Sequence, residues 1–238
     1  MQKVSIWVTL GAALAAFVAG FTFANYLNKT QLNNPQPVQS QNDPSSNRSA
    51  TQTDTLSDDE IDQKLKEAAS DPENFAFQKG LGLGLYRYGA VRENENIIEK
   101  AIPVLERAYR LNPDDFDILV GLGNAHFDVG YHTKNNESFS TARTYYAKAL
   151  AKRPSDIEVR TDVGLTYFLM SPPDQVSAVT EFEKALAIDP KHEKTLGFLI
   201  QSLDALGKDS SKFRETLKGV NPQNPNIQRS GDAPEGAK

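Results

Sequence analysis

Apolar residues along this chain recur at helical spacing, in stretches that each stop at a proline. Leu81 with Leu85, Leu122 with Phe127 and Val163 with Tyr167 mark one face of three such stretches. Leu105, Tyr146 and Phe182 occupy matching places in the segments that follow them. The closing prolines are Pro72, Pro113, Pro154 and Pro190, spaced by 41, 41 and 36 residues. A period in this range marks stacked supersecondary units. Superposing the units aligns LGLGLYRYG (81–89), LGNAHFDVG (122–130) and VGLTYFLMS (163–171), followed by AIPVLERAYRLNP, ARTYYAKALAKRP and AVTEFEKALAIDP. Each unit reads as two helices, and the fold class as all-α.

The same superposition brings small residues into register. Gly82, Gly123 and Gly164 share one place, Ala101, Ala142 and Ala178 a second, and Ala108, Ala149 and Ala185 a third. Glycine inside a helix costs about 1 kcal/mol relative to alanine, so its recurrence calls for a compensating gain. Close approach of antiparallel helices supplies one.

These patterns define one helical domain over 57–220. A capping helix at 57–70 precedes units of about 73–113, 114–154 and 155–190, and a degenerate unit closes the array at 191–220. Ser57 and Glu60 stand at capping-box spacing with Leu56 and Ile61 placed as a staple, so the first helix starts at Asp58. KTLGFLIQSLDALG (194–207) matches the first helices and SSKFRETLKGV is a shortened second helix. Terminal units of this atypical kind shield the apolar ends of a stack. From seam glycine to closing proline the first two units span 31 residues and the third 26. The additional residues are assigned to longer second helices, capped by Asn94 and Asn135. Pro103 would then kink or split the first of these.

The pattern of glycine, aromatic and alanine positions resembles the tetratricopeptide repeat, with Gln78, Leu119 and Arg160 where that family has tryptophan. The resemblance implies a right-handed α-solenoid of stacked antiparallel helix pairs, and a protein or peptide partner held in a concave groove lined by the first helices. Carried onto this chain, that face consists of Lys79, Leu83, Tyr86 and Arg87, then Val120, Asn124, Phe127 and Asp128, then Thr161, Leu165 and Phe168, with Gln201 from the last unit. The family's clamp for C-terminal carboxylates is not reproduced. Lys79 matches it, but Leu83, Gly121, Glu158 and Asp162 stand at its other places. His126 occupies the family's tyrosine position and is expected to be packed, not catalytic.

Outside the repeats, Val4 to Ala24 form an uncharged run of 21 residues. As a helix that run spans the roughly 30 Å of a hydrocarbon core, so residues 1–27 are read as one transmembrane anchor preceding the solenoid. Lys3 and Lys29 flank the span, and the expected arrangement is a single pass through the bacterial inner membrane with the repeat domain in the periplasm. Gly11, Ala15, Ala16 and Gly20 would let two anchors pair as a homo-oligomer. Residues 28–56, rich in Asn, Gln, Ser, Thr and Pro, form a polar linker, and residues 221–238 read as a disordered tail. Anchor, linker and DPENFAFQKGLGLGLYRYG (71–89) are together similar to membrane-anchored repeat proteins of cytochrome c maturation, which present apocytochrome to the ligating machinery. An accessory role there is the narrower alternative to a general envelope scaffold.

Charge and chemistry narrow the picture further. The net charge of −5, with Lys and Arg scattered, offers no footprint for nucleic acid. Cysteine is absent, which excludes disulfides, thiolate zinc sites and a thiol nucleophile. GLGLGL (80–85) lacks the Lys and Ser/Thr of a phosphate loop. His126, Asp128 and His132 offer donors, but helical stagger sets them against convergence. No metal, cofactor or catalytic group is expected, and the chain is read as a non-enzymatic binding protein.

Overall fold

A computed structural model of the chain describes residues 56–228. Within them the chain forms α1 (Asp58–Ser70), α2 (Phe75–Val91), α3 (Glu95–Leu111), α4 (Phe116–Thr133) and α5 (Asn136–Lys152). It continues through α6 (Ile157–Leu169), α7 (Gln175–Leu186), α8 (Glu193–Ala205) and α9 (Ser211–Val220) to a 3-10 turn at Pro225–Ile227. No strand occurs among the described residues. No described helix is long and apolar enough to cross a membrane. The sequence run Val4 to Ala24, the linker up to residue 55 and the tail from residue 229 lie outside the described residues.

Capping residues explain where the helices begin. Ser57 and Glu60 form the reciprocal capping box that their spacing predicts. Asn74, Asn94, Asp115, Asn135, Asp156 and Asp174 each accept a backbone N–H in the first turn of the next helix.

α2 pairs with α3, α4 with α5, α6 with α7 and α8 with α9. The recurring small residues are the seam of these pairs. All six alanines, Ala101, Ala108, Ala142, Ala149, Ala178 and Ala185, are fully buried. A Cβ added at Gly82 would lie 2.8 Å from Leu105 Cγ, and one at Gly123 or Gly164 would overlap the rings of Tyr146 or Phe182 still more closely. The large residue of each second helix therefore fills the space its partner glycine leaves open. Successive first helices also touch one another, α2 with α4, α4 with α6 and α6 with α8, with no contact of comparable extent between successive second helices. The first helices thus form one continuous layer on the tighter side of the stack.

Gln78, at the family's tryptophan position, ties α1 to this array. Its side chain is fully buried and donates to the carbonyls of Ala68 at 2.6 Å and Asp71 at 2.9 Å, while its Oε1 accepts from Arg107 Nε. One amide thereby satisfies a C-terminal carbonyl of α1 and that of its capping residue Asp71, and joins both to α3.

Three features differ from the sequence reading. The extra residues of the first two units are shared by both helices: α2 and α4 have 17 and 18 residues and α3 and α5 17 each, against 13 and 12 in α6 and α7. Pro103 neither ends nor splits α3, which is one helix from Glu95 to Leu111. Pro103 and Glu99, whose carbonyl loses its helical donor, are both exposed, so the helix continues on a side open to solvent and not against the core. Finally, the ordered chain runs past residue 220. Asn221 and Asn224 both donate to Glu193 Oε1, and Asn226 Nδ2 would meet a Cβ at Gly197, so this segment covers α8.

Candidate partner-binding groove

The layer of first helices presents a face whose side chains divide into two sets. Phe127, Thr161 and Leu165 are buried. Phe127 packs edge-on against Phe139 with ring centroids 5.7 Å apart. Thr161 shares a 2.6 Å hydrogen bond with Thr195 across α6 and α8. Their side chains are engaged in the core, and the groove expected from the sequence lacks these three. Val120 is half-buried against the same core, and Leu83 leans over α4, where a Cβ at Gly121 would lie 2.6 Å from its Cδ2.

Lys79, Tyr86, Arg87, Asn124, Asp128, Phe168 and Gln201 keep part of their surface open. Lys79 Nζ bonds both carboxylate oxygens of Asp115, at 3.0 and 2.8 Å, and Asp117 at 2.8 Å. Burial lowers the Lys79 pKa, but its bonds to the two acids outweigh this and hold it above the ordinary lysine value. Lys79 therefore clamps α2 to the start of α4. Arg87 Nε donates to the Leu83 carbonyl and Gln201 Nε2 to that of Gly197. Phe168 stands edge-on to Phe198 at 5.4 Å.

Sequence reasoning missed a polar ladder across this face. Tyr86 on α2 donates its hydroxyl to Asp128 Oδ2 on α4 at 3.1 Å. Tyr146, rising from α5, donates to Asn124 Oδ1 at 2.8 Å. On the next step Lys194, a buried residue of α8, donates to Asp162 Oδ1 at 2.8 Å and lies 3.9 Å from Glu158. His192 bridges Glu158 and Thr195 at 3.1 and 2.6 Å. The partners lie 32 to 42 residues apart in most of these bonds, a spacing near the repeat period. That regularity was the available signal.

Burial pushes the Asp128 carboxyl up to about 7, with the Tyr86 hydrogen bond opposing and the charge of Asp162 adding to the rise. Burial likewise raises Asp162, against the pull of Lys194. Burial also carries the Tyr146 phenol well above its ordinary value.

The histidine and acid of GLGNAHFDVG do not form a reactive pair. His126 stacks on Tyr145 with centroids 5.7 Å apart, and its buried Nε2 has no hydrogen-bond partner among the described residues. Burial lowers its pKa. His132 is exposed beside Tyr131, and Asp128 is bonded to Tyr86. No group of His, Cys, Asp or Glu among the described residues is placed to hold a metal ion.

Residues 57–167, less than half of the chain, match the family model of the plant-specific mitochondrial import receptor subunit TOM20. No curated protein matches the chain. Among solved structures, the crystal structure of MamA protein superposes with a TM-score of 0.55 at 17% identity, covering 72% of this chain and 86% of that one. A second crystal structure of MamA gives 0.53 at 19% identity, covering 68% and 84%. MamA contains tetratricopeptide repeats, and at this identity the likeness is one of fold. Helix pairs sealed by glycine and alanine, first helices aligned in one layer, and this shared architecture together give the chain a tetratricopeptide-like repeat fold.

Proposed function

We propose that the chain is a membrane-tethered scaffold that binds a segment of a partner protein along the layer formed by α2, α4, α6 and α8. The observation that carries this reading is the continuity of that layer, on which Tyr86, Arg87, Asn124, Asp128, Phe168 and Gln201 all retain open surface. Aromatic and hydrogen-bonding groups in that mixture suit an amphipathic peptide laid across several units. Capture by the full chain in detergent micelles tests it, with a Tyr86→Ala, Phe168→Ala variant beside it. Loss of the captured partner with an unchanged helical spectrum is expected. Undiminished capture contradicts it.

Tethering is supported by the uncharged run Val4 to Ala24. The full chain then stays with membranes through alkaline carbonate washing, and its release contradicts the tether. Placement of the repeats in the periplasm is the matching proposal, and protease access to the repeats from the periplasmic side tests it. Service in cytochrome c maturation is a narrower form of the same reading, supported by sequence resemblance. Normal covalent haem attachment in a deletion strain contradicts it.

A further inference from the structure

The acids of the first-helix face differ in how they are neutralised. Asp115 and Asp117 share Lys79, and Asp162 and Glu158 have Lys194. Asp128 stands between these two sets, on the middle of the layer, and no cation lies within ion-pair distance of it among the described residues. The hydrogen bond it accepts is the neutral one from Tyr86, at Oδ2. The groups around its carboxyl are Tyr86 on α2, Tyr146 on α5 and Asp162 on α6. Arg87, also on α2, turns its Nε to the Leu83 carbonyl.

A carboxylate held in such surroundings without a counter-charge is unfavourable, and either a proton or an external cation relieves it. The surface next to it is phenolic and amide in character, formed by Tyr86 and Asn124, with the buried Tyr146 bonded to Asn124 beneath. Those groups suit the aliphatic stem and the donors of a long basic side chain.

We propose that Asp128 is the receptor for one Lys or Arg side chain of the partner segment that lies along the first-helix face. The proposal rests on the groove reading above and adds the chemistry of the occupant. Partner segments carry a basic residue flanked by apolar ones, and acidic segments are disfavoured by the remaining charge of Asp128 and Asp162.

The test selects displayed random dodecapeptides on the full chain in detergent micelles. One selected peptide is then resynthesised with its basic residue as Lys or as norleucine. Enrichment of Lys or Arg at one position is expected, with the Lys form binding about tenfold more tightly than the norleucine form. The difference shrinks below about twofold on Asp128→Asn, which is nearly isosteric and keeps the fold. Binding of the Lys form tightens as pH rises from 6 to 8, because the ionised carboxylate is the receptor, while the norleucine form stays level. Peptides lost by Phe168→Ala or Gln201→Ala but showing no basic preference, or a preference that survives Asp128→Asn, overturn the receptor and leave the groove standing. Peptides insensitive to both groove substitutions, or no retained peptides, overturn the groove and the receptor together.

Discussion

The Tyr146 ring occupies the space where a side chain at residue 123 would stand, and its hydroxyl donates to Asn124 one residue further along the same helix. A single side chain thus seals the α4–α5 seam and, while itself buried, bonds a half-buried residue of the first-helix layer. Gly123→Ala must displace that ring, and Gly164→Ala must displace Phe182. Each is expected to destabilise the domain by about 1–3 kcal/mol, as overpacking of a tight contact does. Gly80→Ala is the control, because nothing lies within 4 Å of its added Cβ. It should stabilise by up to about 1 kcal/mol through helix propensity. Urea denaturation followed by circular dichroism measures all three.

The hairpin turns give a second prediction. Glu93 and Gly207 each sit at positive φ, 51° and 64°, one residue before an N–H that reaches back to the last helical turn. Those closing bonds run from Asn94 to the Gly89 carbonyl and from Lys208 to the Leu203 carbonyl, at 2.9 Å each. This left-handed closure favours glycine. Glu93→Gly is expected to raise stability by about 0.5–1 kcal/mol and Gly207→Ala to lower it by about as much. Equal effects of one sign in thermal melts would contradict the steric explanation.

Gln78 is the third. Truncation to alanine leaves the Ala68 carbonyl and Arg107 Nε without their Gln78 partner, while the Asp71 carbonyl keeps its bond from the Asn74 N–H. The cost is about 1–3 kcal/mol for buried groups left unsatisfied. Because α1 docks chiefly on α2, the loss should appear as faster amide exchange in α1 with α4 to α9 unchanged. Uniformly faster exchange along the array contradicts this local role.

Much of this arrangement was legible because sterics repeat with the sequence period. Gly82, Gly123 and Gly164 announce close approach wherever they occur, and Ser57 with Glu60 announces a helix start. Register on the open face was less legible. Tyr86, Phe127 and Phe168 share one place in the repeat, yet Phe127 is buried because Phe139 in the first turn of α5 packs over it. Leu165 is likewise buried where Asn124 is not. Helices of unequal length pack with unequal offsets, so a face carried over from a uniform repeat rotates from unit to unit. The Tyr86–Asp128 and Asp162–Lys194 bonds depend on those offsets, and no single segment encodes them.

Asp128 supplies a pH prediction of fixed sign. Its carboxyl titrates at about 7 in the folded chain, against an ordinary 3.8. Between those values the folded state holds more protons than the unfolded state, so stability falls as pH rises through the window. Asp128→Asn removes that dependence. The variant should match the parent near pH 3.5 and exceed it above pH 7, by an amount on the order of a few kcal/mol. A stability difference that does not change with pH would show that the carboxyl is not held in a desolvated setting.

The central claim is that the layer of first helices, not the outer row of second helices, is where a partner docks. A photo-crosslinking amino acid placed in the full chain at Tyr86 or Phe168, and separately at the exposed Glu99 or Thr144 of the second helices, tests this most directly. The account predicts one common adduct from the two first-helix positions and none from the two outer ones. An adduct formed from Glu99 or Thr144 and absent from Tyr86 and Phe168 would contradict it.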